Sequence, residues 1–183
     1  MVEFDAGFLA ILFHPNPGLP PDPQTGKPVT QTKERIEFLI NTLSDSGEKI
    51  LIPTPALAEV LIALGKVAAA QAVDNLHGES AFQIGDFDER SAIELSLMSE
   101  LGPGETKRKG QQGTWVKVKF YRQIVAIAKV NGVKTIYSTD EEVQKLAIKE
   151  GIKAIALHEL PLPPPATPKL PFDEEKSHGE TNG

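Results

Sequence analysis

The sequence predicts an α/β fold: a parallel sheet of about five strands, covered by helices on both faces. Three observations carry that prediction. Short apolar runs alternate with helical patterns along most of the chain. Those runs are β-branched or aromatic and lack polar alternation, as buried parallel strands do. Acidic residues stand just past two of the runs and inside the helix after a third, near the edge where open parallel sheets carry their ligands.

Val2 to Phe4 reads as the first strand, ended by Asp5, with Phe8, Leu9, Ile11 and Leu12 forming an apolar helix behind it. Pro15 to Pro28 holds six prolines and two glycines, so it is expected as a surface loop. Thr32 to Leu43 returns to helix, with Ile36, Leu39, Ile40 and Leu43 on one face. Lys49 to Ile52 is the second strand. Thr54-Pro55 opens the next helix, with Thr as N-cap and Pro at the first helical position. That helix is apolar all round except at Glu59, and Lys66 to Leu76 continues it until His77-Gly78. Ala81 to Ile84 is the third strand. Asp88 caps a helix bearing Ile93, Leu97 and Leu101, and Gly102 to Gly113 is a polar loop with a basic centre. Tyr121, Ile124, Val125 and Ala128 recur at helical spacing until Asn131-Gly132 stops them. Val133 to Tyr137 is the fourth strand, and Ser138 with Glu141 forms a capping box for the helix after it. Lys153 to Ala156 is the last strand. Residues 1–160 are expected as one domain with the 15–30 loop inserted, and 161–183 as a Pro-rich, disordered tail.

The chain has 183 residues, enough for one domain with a real core. It has no cysteine, which excludes a disulfide framework and a Cys-based zinc site. The first residues, MVEFDAGFLAILF, lack a basic start and carry Glu3 and Asp5, so they read as strand plus helix rather than as a signal peptide. No membrane span is expected, and the cytoplasm is the expected compartment. A net charge of −6 argues against broad nonspecific nucleic-acid binding, but not against a nuclease that meets phosphate through a metal.

Asp5, Glu59 and Asp140 form the candidate site. With parallel strands, all three fall near one sheet edge although they are far apart in sequence. Carboxylates without His or Cys partners suit Mg²⁺ or Mn²⁺, and such an ion activates water and stabilises charge on a phosphoryl group. Each acid also has a structural reading. Asp140 favours a helix N-terminus through the macrodipole, and Asp5 can cap the first helix. Glu59 is a single carboxylate in an apolar helix, costly to bury unless paired or metal-bound.

Four stretches resemble the PIN-domain ribonucleases. VEFDAGFLAIL is similar to that family's opening strand and first acid, and IPTPALAEVL to its second-acid helix. FYRQIVAIAKVNGVKTIYSTD is similar to its third-acid helix, strand and fourth acid, and GIKAIALHELPLP to its closing strand. The resemblance implies a three-layer α/β/α sandwich and Mg²⁺- or Mn²⁺-dependent cleavage of RNA phosphodiesters. It implies Asp5, Glu59 and Asp140 as metal-site acids and Ser138 as the hydroxyl beside the last of them. It also implies a toxin paired with an antitoxin protein, and a homodimer. One departure stands out: the family's usual Asp is replaced by Tyr121, a neutral phenol at pH 7. Three outcomes follow for the site: it works with the remaining acids, it is completed by Asp86 or Asp88, or it has become a catalytically impaired module that binds RNA or a protein.

Lys107, Arg108 and Lys109, with Trp115 and Arg122, form a candidate RNA-facing patch in which basic groups hold phosphates and Trp115 stacks on a base. The plainer reading is a solvated loop and a core tryptophan. His14, His77, His158 and His178 are scattered without a metal-type pair.

Overall fold

In the computed structural model the chain forms a five-stranded parallel sheet flanked by helices, a three-layer α/β/α fold. The structure describes residues 1–98 and 112–164, and for 112–119 the backbone alone. Strand β1 (Val2–Phe4) is central. It is followed by α1 (Ala6–Phe13), α2 (Thr32–Asp45), β2 (Ile50–Pro53), α3 (Thr54–Gly78), β3 (Phe82–Gly85) and α4 (Glu89–Met98). Then come α5 (Gln112–Val130), β4 (Thr135–Ser138), α6 (Glu141–Lys149), β5 (Lys153–Ala156) and a 3₁₀ turn at Leu157–Glu159.

The strand order is β3-β2-β1-β4-β5. The chain grows outward from β1 to β3, then restarts on the other side of β1. The boundary between β1 and β4 is therefore the topological switch point, where the loops leave a crevice at the C-terminal strand ends. The register sets Phe4 opposite Tyr137 and Glu3 opposite both Leu51 and Ile136. Phe4, Phe8 and Tyr137 pack their rings at centroid distances of 5.3, 5.6 and 5.9 Å, joining α1 to one sheet face. Pairing extends β4 to Ser138, opposite Ala156, one residue beyond the apolar run.

Several local expectations are corrected. Ser138 does not cap α6. Asp140 does, accepting the Glu142 N–H at 2.8 Å, so the helix begins at Glu141, two residues later than a Ser138 capping box would start it. Thr54 is the first residue of α3 rather than its cap, and its Oγ1 accepts the Phe87 N–H at 3.2 Å. Asp88 caps α4 as expected, taking both the N–H and the hydroxyl of Ser91 at 2.8 Å. Ile93 and Leu97 on that helix are exposed, and Leu101 lies outside the described residues. The 15–30 loop is held locally by Asp22, whose carboxylate accepts Gln24 N–H at 2.7 Å, and by a bridge between Pro21 and Pro28.

α3 is long and apolar enough to cross a membrane by length and composition, contrary to the expectation that no stretch qualifies. It is broken at Gly65, whose φ of 73° and ψ of 168° interrupt the helical hydrogen bonds. Neither half reaches the roughly 20 residues that a spanning helix needs.

Glu3 is the anomaly of the core. It is fully buried in the row Leu51–Glu3–Ile136, and neither carboxyl oxygen has a hydrogen-bond partner. Burial, and then the charge of Asp5, push its carboxyl well above the usual range. A buried unsatisfied polar group costs about 1–3 kcal/mol. Glu3→Leu is therefore expected to stabilise the metal-free protein by about that amount at pH 7. Urea unfolding of the two proteins checks this; a less stable variant would mean that Glu3 holds a partner.

Candidate functional site

The site begins with Asp5, the residue after β1. Its Oδ1 accepts the Phe8 N–H at 3.0 Å and so caps α1. Its Oδ2 accepts the Ser138 hydroxyl at 2.5 Å and the Thr139 N–H at 3.1 Å, both from the end of β4. Asp5 is 3% exposed. Burial raises its carboxyl to about 6 against these three hydrogen bonds, which pull it down, and the charge of Asp140 adds to the rise.

Ser138 is fully buried, and its hydroxyl also accepts the Asp140 N–H at 3.0 Å. Asp140 uses Oδ1 to cap α6. Its Oδ2 accepts the Tyr121 hydroxyl at 2.7 Å. The phenol is pushed above its ordinary range, first by burial, then by the bond to Asp140 and the charges of Asp140, Glu59 and Glu142. Tyr121 therefore stays neutral and donates to Asp140.

Asp5, Glu59, Tyr121 and Asp140 line one cavity of about 440 Å³. Three acids separated by most of the chain thus surround one hollow at the switch point. Glu59 is exposed on α3 at its wall, so the burial cost argued from the sequence does not arise. Asp5 and Asp140 each combine the capping reading with a place on the cavity wall. Ser138 stands behind that wall. Asp86 and Asp88 are not among the cavity residues and do not complete the site.

Lys107, Arg108 and Lys109 lie outside the described residues, as does the side chain of Trp115. Arg122 is half-buried.

An all-oxygen set of carboxylates fits a hard divalent cation in kind. It does not converge: among the described residues no three Asp, Glu, His or Cys side chains stand close enough to hold one ion. The two best-placed acids also have oxygens engaged, Asp140 by Tyr121 and Asp5 by Ser138 and Thr139.

Two residues that shape the site were not singled out from the sequence. Thr139 supplies the N–H on Asp5. Gly7, in the first turn of α1, lies so close to Thr139 that an added Cβ would stand 1.8 Å from its Oγ1. The signal available was a small residue two positions after a strand-end acid. Gly7→Ala would drive its methyl into the Thr139 side chain, which has to turn or move aside. It is expected to destabilise the fold by about 1–3 kcal/mol, as overpacking does, despite alanine's better helix propensity. Chemical denaturation measures this, and a neutral variant would refute the close approach.

The Asp5 shift has a signed consequence. A carboxyl raised from 3.8 to about 6 on folding contributes most below pH 4, and that contribution is lost as pH rises to about 6. Between pH 4 and pH 7 the stability difference between the metal-free chain and Asp5→Asn is expected to move in the variant's favour by roughly 2 kcal/mol. A pH-independent difference would contradict the desolvation of Asp5.

No protein-family profile matches the sequence, and no curated protein matches it. Solved structures do match the fold. VapBC2 from Rickettsia felis, bound to a DNA fragment from its promoter, is 13% identical with a TM-score of 0.50, over 85% of this chain and 98% of that one. DNA-bound VapBC from Salmonella typhimurium is 13% identical with a TM-score of 0.48, over 86% and 99%. VapC20 from Mycobacterium tuberculosis, a toxin that cleaves the sarcin-ricin loop, is 12% identical with a TM-score of 0.47, over 79% and 94%. At this identity the likeness is one of fold.

Proposed function

We propose that this chain is a PIN-type ribonuclease, hydrolysing RNA phosphodiesters with Mg²⁺ or Mn²⁺ and acting as the toxin of a toxin–antitoxin pair. The observation that supports this most is the gathering of Asp5, Glu59 and Asp140, from three separate elements, around one cavity at the switch point. Asp5, Glu59 and Asp140 are the residues that would hold the ion, and they would have to draw closer together than they stand in the metal-free chain. When bound, it would supply an activated water and stabilise charge on the phosphate. The chain's own residues do the rest. Ser138 and Thr139 orient the Asp5 carboxylate. Tyr121 has to leave Asp140 before that carboxylate is free to act.

The family resemblance and the VapBC2 complex among the structural neighbours support an antitoxin protein as partner. A homodimer, the cytoplasm, and residues 1–160 as the working domain with 161–183 as a tail belong to the same proposal.

One observation favours a second reading, a catalytically impaired module of this fold that binds RNA or a protein. The Tyr121 hydroxyl occupies Asp140, and the acids do not converge.

RNA cleavage with Mn²⁺ and with Mg²⁺ separates the readings. The unaltered chain is expected to cut slowly, Tyr121→Asp to cut at least about tenfold faster (~1.4 kcal/mol of barrier), and Asp140→Asn not to cut. RNA that is bound but uncut by both the unaltered chain and Tyr121→Asp would establish the module instead. Full activity in Asp140→Asn would remove Asp140 from the site.

A further inference from the structure

Asp140 is fastened twice. Its Oδ1 caps α6 through the Glu142 N–H at 2.8 Å, and its Oδ2 takes the Tyr121 hydroxyl of α5 at 2.7 Å. The first bond is local and moves with the helix. The second ties the carboxylate to a different element, along the wall of the cavity that both residues line. Among the described residues no three acids converge on one point, and one of the three acids on this cavity is held toward α5 by that neutral donor. The hydroxyl hydrogen and a divalent cation are both positive, and both seek the oxygen that the α6 cap leaves open.

We propose that Tyr121 is a latch on the site: its hydroxyl competes with a divalent cation for Oδ2 of Asp140, and it keeps the acids apart until the ring is released. This rests on the reading of the cavity as the place of a divalent cation and an RNA phosphodiester, and it adds a regulation of that site by the cation itself. While the hydroxyl is bonded, Asp140 cannot move toward Asp5 and Glu59 without losing its donor. Once the oxygen is taken, the phenol has lost its acceptor and is free to turn. Whatever the hydroxyl costs the cation in affinity, the cation costs the hydroxyl bond, because the coupling is reciprocal. Asp5 differs. Its three donors come from the buried switch point and orient it. Tyr121 is a half-buried ring beside a hollow of about 440 Å³, which gives it room to leave. A site built in this way stays unassembled at low cation and assembles only when cation binding exceeds the worth of one hydrogen bond.

The test is calorimetric titration of the full chain with Mn²⁺, using the unaltered protein, Tyr121→Phe, Asp140→Asn and the double variant. Tyr121→Phe keeps the ring and removes only the hydroxyl. A hydrogen bond to a charged group is worth roughly 10- to 150-fold in an equilibrium (~1.5–3 kcal/mol). Tyr121→Phe is therefore expected to bind Mn²⁺ at least about tenfold more tightly than the unaltered chain, a gain from no detectable binding included. In the Asp140→Asn background the same change is expected to bring no gain. A second readout uses the unaltered chain alone. Its one other tyrosine, Tyr137, is buried against Phe4 and Phe8, so bound Mn²⁺ is expected to change the tyrosine ultraviolet spectrum through Tyr121, and the change is expected to vanish in Tyr121→Phe.

Equal Mn²⁺ affinity in the unaltered chain and Tyr121→Phe would overturn the latch. Tighter binding by the unaltered chain would do so too, since the phenol would then assist the cation. So would a tyrosine spectrum that bound Mn²⁺ leaves unmoved. RNA cleavage by a chain whose Mn²⁺ affinity ignores Tyr121→Phe removes the latch and leaves the nuclease reading standing. A gain in Mn²⁺ affinity in Tyr121→Phe, with no RNA cut by any form, does the reverse. Mn²⁺ bound by neither protein overturns both.

Discussion

The carboxylate of Asp5 is the constraint from which the rest of the site follows. It is buried at the boundary where the sheet reverses its order of growth, and it is bonded to both sides of that boundary. One oxygen starts α1, and the other ties down the end of β4. A carboxylate removed from water is unfavourable unless it is hydrogen-bonded. Three donors offset that cost, and two of them have to come from the β4–α6 connection. The connection must therefore pass close to α1, which is why the first turn of that helix contains Gly7. A strand end, a helix cap, a glycine and a buried serine are thus parts of one arrangement.

Tyr121 fits that arrangement in its metal-free form. An acid at this position would face Asp140 and Glu59 across the cavity, and like charges at short range oppose one another unless a cation lies between them. The phenol removes one of those charges and satisfies a lone pair of Asp140. Glu3 shows the contrary case: it is as deeply buried as Asp5 but lacks donors. Its neighbours in register, Leu51 and Ile136, are apolar and offer no side-chain hydrogen bond.

The sheet was legible because parallel strands buried on both faces leave continuous apolar runs, as in Ile50–Ile52 and Thr135–Tyr137. The meeting of Asp5, Glu59 and Asp140 on one cavity was legible for a related reason: a strand's C-terminal edge is readable once its direction is known. The fine structure of the site was not. A capping box and an Asp cap compete for the same helix start, and the choice for Asp140 turns on the Ser138 hydroxyl being drawn to Asp5, 133 residues away in sequence. Glu59 looked costly because its helix is apolar all round, but α3 leaves Ala58, Glu59 and Ile62 outward. Apolar composition alone does not say which face is covered. Glu3 was visible as a charge within a predicted buried strand, and its burial could have been inferred from that strand's central place.

The cavity is a meeting of two helix faces with the same design. On α3, Glu59 and Ile62 are three residues apart and share a face. On α5, Tyr121 and Ile124 repeat that spacing, again a polar group followed by an apolar one. Each helix therefore brings one group able to act on charge and one able to exclude water. Asp5, just after β1, and Asp140, in the β4–α6 connection, complete the lining between them. The lining therefore mixes acids with apolar side chains, some buried, as Ile124 and Val143 are, and some exposed, as Ile62 is.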